Sequence, residues 1–449
     1  MLLARCKLKV GVFMTKPISA LDIAKVTNKV PTEEQIKIIE SALVPAVVIA
    51  GAGSGKTETM ATRVLWLVAN GYAKPEEILG LTFTRKAAAE LKKRIKDRLK
   101  QLRKEGLIDK NLSIEVPVMT YHSYAGNILR EYGLRLGIDT DADLIGEAVV
   151  WQQAAKVLRE WNDDEFEYEG AFKTLVKDLL GVTKSAMEHG VTEAEIIEET
   201  NKVLQRLAEV PSDKEVDKVR LVLKQRIKLL EISKKLRSEP IASGQLSFDD
   251  QMFYAAQIAQ EVEKVSELER AKFRVVLLDE YQDTSQSQVR MLSALFKDGH
   301  PVMAVGDPYQ AIYGWRGAAI GTIKNFPKVF AGNSRNPGEV QKVAEYKLST
   351  TFRNDVAILN LANEVGQVVG NQIELNVKVL QPRDGAGAGQ VIRDIYENVE
   401  LEAAGIAERL AGLWQKKSSE ETFAVLVRNR KQIPEIEKAL RAHELPVEV

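Results

Sequence analysis

Residues 46–57 read Ala46-Val47-Val48-Ile49-Ala50-Gly51-Ala52-Gly53-Ser54-Gly55-Lys56-Thr57. The first five are an apolar run of strand length, a glycine-rich turn follows, and a helical pattern opens at Lys56. In that order they form a Walker A phosphate loop, Ala50 to Thr57 in its alanine-first form. The glycines let backbone N–H groups wrap phosphate oxygens, and the helix N-terminus adds a favourable dipole. Ala50, Gly51, Ala52, Gly53, Ser54 and Gly55 are therefore expected to line a nucleotide. Lys56 is expected to reach its β and γ phosphates, and the Thr57 hydroxyl to ligate magnesium. A glycine-rich turn without a ligand is the alternative, and it leaves the Lys-Thr pair without a purpose.

Far downstream, Val275-Val276-Leu277-Leu278 is a second apolar strand, and it ends in Asp279 and Glu280. An acid at the carboxyl end of a parallel strand faces the phosphate loop and can hold magnesium. Asp279 is expected in that role, and Glu280 as the group that orients or deprotonates an attacking water. One acid for the metal and one for the water fits hydrolysis rather than storage of nucleotide.

Three more runs resemble buried strands followed by helical patterns: Ile78–Thr84, Val116–Tyr121 and Val302–Gly306. The alternation predicts an α/β fold with a doubly wound parallel sheet. Between about Ala125 and Gln245 strand-like runs vanish and Leu, Ala, Lys and Glu recur at helical spacing, so a helical domain is expected to be inserted there. A second alternation is expected from Tyr346–Phe352 and the Asn354–Val365 helix, with further strands at Gln390–Tyr396 and Phe423–Val427. At roughly 150 residues per domain, 449 residues allow about three domains.

Lys+Arg and Asp+Glu both number 63, so bulk charge does not hold this chain to a polyanion, and any nucleic-acid site is a local patch. One cysteine, Cys6, excludes an internal disulfide framework and a cysteine-cluster zinc site. Four scattered histidines argue against a His-rich metal site. No apolar stretch nears the roughly 18 residues that cross a bilayer. The first residues, broken up by Arg5, Lys7 and Lys9, do not read as a secretory signal, and Met14 is an alternative start. A cytosolic (cytoplasmic) protein is expected.

Several further stretches occur in a fixed order. Asp279-Glu280-Tyr281-Gln282-Asp283-Thr284 resembles motif II of the UvrD/Rep-like superfamily 1 DNA helicases, and Gly306 to Ala318 (GDPYQAIYGWRGA) resembles their motif III. Leu81–Ala88 is similar to motif Ia, Thr120-Tyr121-His122-Ser123 to motif Ib, and Thr351-Phe352-Arg353-Asn354 to motif IV. Ser247-Phe248-Asp249-Asp250 is similar to the family motif that precedes motif II, and Gln35 matches the adenine-reading Q motif.

The resemblance covers about residues 30 to 449 and implies a P-loop NTPase of RecA-like fold. It implies an N-terminal extension over 1–30 and a RecA-like ATP-binding domain over 31–125 plus 245–345. An inserted helical domain would occupy 126–244, and the start of a second RecA-like domain 346–449. It implies an ATP- and Mg2+-dependent DNA helicase of 3′ to 5′ polarity, acting in repair or recombination on single-stranded DNA and on single-strand/duplex junctions. Gln35 would read adenine, Phe352 would stack on it, Gln310 would couple the γ-phosphate to DNA, and Arg353 would neutralise that phosphate. Phe83, Thr84, Tyr121, His122, Tyr313 and Trp315 would line a single-strand groove. For an isolated aromatic, core packing is the alternative. Arg85 to Lys104 is strongly basic, which serves phosphate contact or plain solubility.

The chain departs from the family in two ways. Glu58 stands where well-known members carry an arginine that packs on adenine. Motifs V and VI do not appear, which leads to the expectation of an N-terminal portion of a longer helicase, and to an alternative: a module that holds ATP and single-stranded DNA without unwinding.

Overall fold

The computed structural model describes residues 17–139, 142–161, 168, 170–314, 321–332, 343–373, 377–418 and 421–449, with backbone alone at 239–243 and 371–373. Its frame is a six-stranded sheet of β1 (Ala46–Ala50), β2 (Ile78–Thr82), β3 (Val118–Thr120), β6 (Val275–Leu278), β7 (Val302–Gly306) and β8 (Ala344–Leu348). The spatial order is β3-β2-β6-β7-β1-β8, and every pairing is parallel. Parallel strands need crossover connections, and here helices cover both faces, which explains why the strands read as continuous apolar runs. The period of two still divides them. Val47, Ile49, Val276 and Leu278 enter one core; Ala46, Val48, Ala50, Val275 and Leu277 enter the other. The fold is thus the expected α/β P-loop architecture.

The strand expected to open a second alternation, near Tyr346, instead completes this first sheet: β8 pairs with β1 from Ala46↔Ala344 to Ala50↔Leu348. Half-polar Ala-Glu-Tyr-Lys-Leu suits a sheet edge, where one side needs no covering strand. The helix Tyr121–Tyr132 also belongs to the sheet domain, past the expected boundary at 125. Tyr124, Ile128, Leu129 and Tyr132 sit in its core, and the Tyr124 and Tyr132 hydroxyls donate to the buried Glu269 carboxylate at 2.6 and 3.1 Å.

The insertion leaves and returns through a short parallel ribbon, β4 (Asp143–Ile145) with β5 (Gln245–Ser247). Its helices are Glu147–Glu160, Phe172–His189, Glu193–Ala208 and Lys214–Ser243, and the first, second and fourth build a separate core around Val157, Val176, Leu179 and Ile232. After β8 the chain forms β9 (Thr350–Thr351), which pairs with β10 (Gln381–Pro382), and the helix Val356–Ile373.

Residues 388–449 form a second compact unit. The helices Val399–Trp414 and Ile433–Ala442 pack around Ala407, Leu440 and Leu445. The segments expected as strands at 390–396 and 423–427 have no ladder partner among the described residues and are not strands. An extended apolar run becomes a strand only when another backbone pairs with it. No helix among the described residues is long and apolar enough to cross a membrane.

Candidate functional site

The carboxyl ends of β1, β6 and β7 converge on a cleft of about 450 Å³. Gly53, Ser54, Gly55, Lys56 and Thr57 line one wall, Asp279, Glu280 and Gln310 the opposite one, and Phe352 with Arg353 stands at the edge. The loop needs its glycines. Gly53 and Gly55 have φ of 75° and 81°, a region that other residues enter only with strain. The Ser54 hydroxyl donates to the Gly51 carbonyl at 2.8 Å and closes the turn.

Two adjacent residues of the Glu33–Ile39 helix hold both edges of this cleft. Gln35 donates to the Ser54 carbonyl at 3.2 Å, while its own oxygen accepts from the Thr32 N–H at 3.0 Å. Its amide thus braces the phosphate loop beside the cleft, and one N–H and one lone pair remain beyond these two bonds. Glu34 accepts from the Ser349 N–H at 2.7 Å and hydroxyl at 2.9 Å, and from Lys378 at 2.8 Å, which anchors the segment leading to Phe352 and Arg353. That segment is joined to the loop directly. Thr351 Oγ1 donates to the Ala52 carbonyl at 2.9 Å, and the Phe352 N–H to the Gly53 carbonyl at 2.8 Å.

Sequence reasoning missed Arg63. It is 2% exposed, and its guanidinium donates to the carbonyls of Ile38, Ile39, Ser41 and Ala42 at 2.8 to 3.3 Å. It thereby caps the helix that carries Glu34 and Gln35 with a charge from the phosphate-loop helix. A lone arginine inside an otherwise apolar helical stretch is the only signal the sequence offers. Glu58 has a partner set of its own. It pairs with Arg98 at 2.6 Å and Arg94 at 3.6 Å on the Arg85–Lys104 helix, and Arg94 also lines the cleft. Much of that helix's basic charge is likewise spoken for, since Lys92 and Lys96 pair with Glu115.

Negative charge is concentrated opposite Lys56, whose Nζ lies 3.8 Å from Glu280 Oε2. Burial, then the neighbouring Glu280 charge, push Asp279 up to about 7, against the pull of Lys56 and Arg94. Burial also lifts Asp283 to about 6 and raises Asp307. One lysine does not offset this cluster, and a divalent cation would. Asp279 and Thr57 share the cleft as one carboxylate and one hydroxyl, which suits Mg2+, an ion that keeps water and phosphate oxygens as its other ligands. Glu280 has φ 49°, an uncommon left-handed conformation for a non-glycine residue. A hydrogen-bond chain runs on from it. Gln282 Nε2 donates to Glu280 at 2.9 Å, Gln282 Oε1 accepts from the Asp307 N–H at 3.0 Å, and Gln310 Nε2 donates to Asp307 at 2.6 Å.

Beyond Gln310 the surface turns aromatic. Phe83 and Tyr313 stack with centroids 4.8 Å apart and planes at 29°. His122 meets Phe248 edge-on at 6.3 Å, and both line a 580 Å³ cavity with Phe83 and Lys184. Phe248, expected only as part of a motif and not as a groove residue, is 43% exposed as the first helical residue after the Ser247 cap. Thr84 caps the Arg85–Lys104 helix by accepting from the Ala87 N–H at 3.1 Å. Tyr121 does not belong to the groove. It is 1% exposed in the sheet core, and its hydroxyl donates to the Asp279 carbonyl at 3.0 Å. The expectation for Trp315 falls outside the described residues.

A phosphate loop, a strand-end acid pair and a parallel sheet together define a P-loop nucleotide-binding protein. The model of the UvrD/REP helicase N-terminal domain matches residues 31–331, and the chain belongs to that family. It is 28% identical over 414 residues to DNA helicase II of Rickettsia typhi, covering 90% of this chain and 54% of the relative. It is 30% identical over 322 residues to ATP-dependent DNA helicase PcrA of Bacillus subtilis (72% of this chain, 37% of the relative). To PcrA of Leuconostoc citreum it is 25% identical (95% and 50%). The chain spans about half the length of the Rickettsia typhi and Leuconostoc citreum relatives and 37% of the Bacillus subtilis one.

Proposed function

We propose that the chain is the ATP-hydrolysing part of a DNA helicase, with turnover stimulated by single-stranded DNA and movement 3′ to 5′ during repair or recombination. The observation that carries this reading is the unbroken run Lys56–Glu280–Gln282–Asp307–Gln310, which ends three residues from the Phe83–Tyr313 stack. Such a run gives the hydrolytic end and the base-stacking end one shared element.

In this mechanism the loop N–H groups and Lys56 would hold the β and γ phosphates, and Thr57 with Asp279 would hold Mg2+. The ion, when bound, offsets charge on the phosphate oxygens. Glu280, held by Gln282, orients the attacking water and takes its proton. Arg353 stands at the γ-phosphate end, where a guanidinium stabilises charge that develops in the transition state. Phe352 offers its 44% exposed ring to the base. Phe83 and Tyr313, with His122 and Phe248 beside them, stack on successive bases, a contact that tolerates any sequence. Arg85 and Lys86, both exposed at the start of their helix, meet phosphates. The proposed setting is the cytosol, with single-strand/duplex junctions as substrate.

Strand displacement on duplexes with a 3′ or a 5′ single-stranded tail tests the reading. Unwinding from the 3′ tail alone is expected. ATP and DNA binding without displacement on either substrate favours the second reading, a nucleotide- and DNA-binding module.

A further inference from the structure

We infer that Tyr309 is a positioning residue. Seated in a socket made by Gly366 and Gly370, it couples the Asp307–Gln310 turn at the nucleotide site to the helix Val356–Ile373. The inference rests on the nucleotide-site reading above and goes beyond it.

The two glycines lie inside that helix, four residues apart and so on one face. A glycine inside a helix is destabilising relative to alanine, so a pair on one face calls for a packing reason. Backbone conformation does not supply it, since neither has a positive φ. Tyr309 does. A Cβ on Gly366 would lie 3.1 Å from its ring, and a Cβ on Gly370 would lie 2.6 Å from its hydroxyl oxygen. The rest of the face is the helix's packed side. Leu359 is 1% exposed, and Asn363 exchanges two 3.0 Å hydrogen bonds with the Leu380 backbone.

On its other side, Tyr309 belongs to the sensing turn. Its N–H donates to Asp307 Oδ1 at 3.0 Å, and Gln310 donates to the second oxygen of the same carboxylate. Asp307 is one residue, Gln282, removed from Glu280. The helix meets the nucleotide site a second time at its start, because Val356 follows Arg353 closely, and the Thr351 hydroxyl and the Phe352 N–H are fastened to the phosphate loop. At 1.5 Å per residue, the anchors at 356 and 370 are about 20 Å apart. A shift of the Asp307–Gln310 turn relative to the phosphate loop therefore tilts the helix instead of merely sliding it.

The socket permits a size-complementation test. Gly370→Ala drives a methyl into the Tyr309 hydroxyl. Tyr309→Phe removes that oxygen, and the nearest remaining ring atom is then 3.5 Å from the new Cβ, an ordinary contact. Binding of ATPγS with Mg2+ is measured first by titration, and hydrogen exchange over residues 356–373 is then followed with and without it. The wild type is expected to change its exchange in this helix on binding. Gly370→Ala is expected to bind ATPγS with unchanged affinity but to lose that response by about fivefold or more. The Gly370→Ala/Tyr309→Phe pair is expected to regain it. A merely structural contact would shift the melting temperature and leave the nucleotide response in place. Should Gly370→Ala not fold, Tyr309→Ala empties the socket without a clash and carries the same expected loss of response. A helix indifferent to nucleotide in a wild type that binds it, a response that persists in Gly370→Ala, or a double variant that stays uncoupled overturns the inference. A wild type that binds no ATPγS overturns the nucleotide-site reading, and this inference with it.

Discussion

The nucleotide cleft and the aromatic groove share one short segment, with Gln310 in the first and Tyr313 in the second, yet they are built on different principles. The cleft is made from backbone: glycines in left-handed conformations, strand ends, and side chains held by main-chain groups. Its carboxylates are crowded and buried, so it stores electrostatic cost that a divalent cation would relieve. The groove is made from side chains on separate elements, with stacked, half-exposed rings and a Lys184–Asp249 ion pair at its wall. The difference suggests that the cleft is selective and stiff, and the groove permissive.

The sharpest way to break this contrast is Lys56→Ala. Hydrolysis is expected to fall on the order of 10³-fold or more while single-strand affinity stays nearly unchanged, read by turnover and by DNA titration. Equal losses in both would mean that the cleft and groove are one site. Next in size is Arg63→Ala, which takes the guanidinium from the buried Ile39 and Ser41 carbonyls and the part-buried Ala42 carbonyl, while Ile38 keeps the Ser41 hydroxyl. A loss of about 3 kcal/mol of stability is expected in urea unfolding, because buried unsatisfied groups bear their full desolvation cost. Little change would mean that the Glu33–Ile39 helix is held by other contacts. Phe83→Ala is expected to weaken single-strand binding by about 1–3 kcal/mol and leave basal ATP turnover intact, checked by fluorescence titration beside the turnover assay.

The smallest effect concerns the opposite end of β7 from Asp307. His300 stacks on Phe296 at 5.3 Å, and burial holds it down to about 4, below its ordinary 6.5. The unfolded chain therefore binds the extra proton first as pH falls, and stability is lost from about pH 6.5 downward through about 4. Between pH 6.5 and 5 the loss is expected to be about 1–2 kcal/mol, and His300→Gln is expected to flatten that slope without touching turnover at pH 8. A slope unchanged in the variant assigns the acid sensitivity to another group.

What was legible in the sequence follows the same contrast. Ala50 to Thr57 and Asp279-Glu280 could be read because contiguous backbone performs their task, and spacing along the chain is then spacing in space. The parallel sheet was legible for the same reason. Tyr121 was misread because its motif lies beside the groove while its side chain turns into the core toward Asp279, and a sequence does not say which way a ring points. Gln35 matches its motif and closes a local capping box with Thr32, but its bond to Ser54 is set by tertiary contact. Arg63, Phe248 and the Tyr309 socket depend on residues brought together from distant segments, and the local signals at Arg63 and Phe248 do not say which residues those are. The strands expected at 390–396 and 423–427 were judged on apolar content alone, which does not reveal whether a partner backbone is at hand.

The central claim is that the acid chain from Glu280 to Gln310 drives hydrolysis and answers to the aromatic groove. Its most direct test is ATP turnover by the chain with and without single-stranded DNA, beside Glu280→Gln. The account predicts that DNA raises wild-type turnover and that Glu280→Gln binds both ligands but turns over at background in either condition. Turnover that ignores DNA, or that survives in Glu280→Gln, would contradict it.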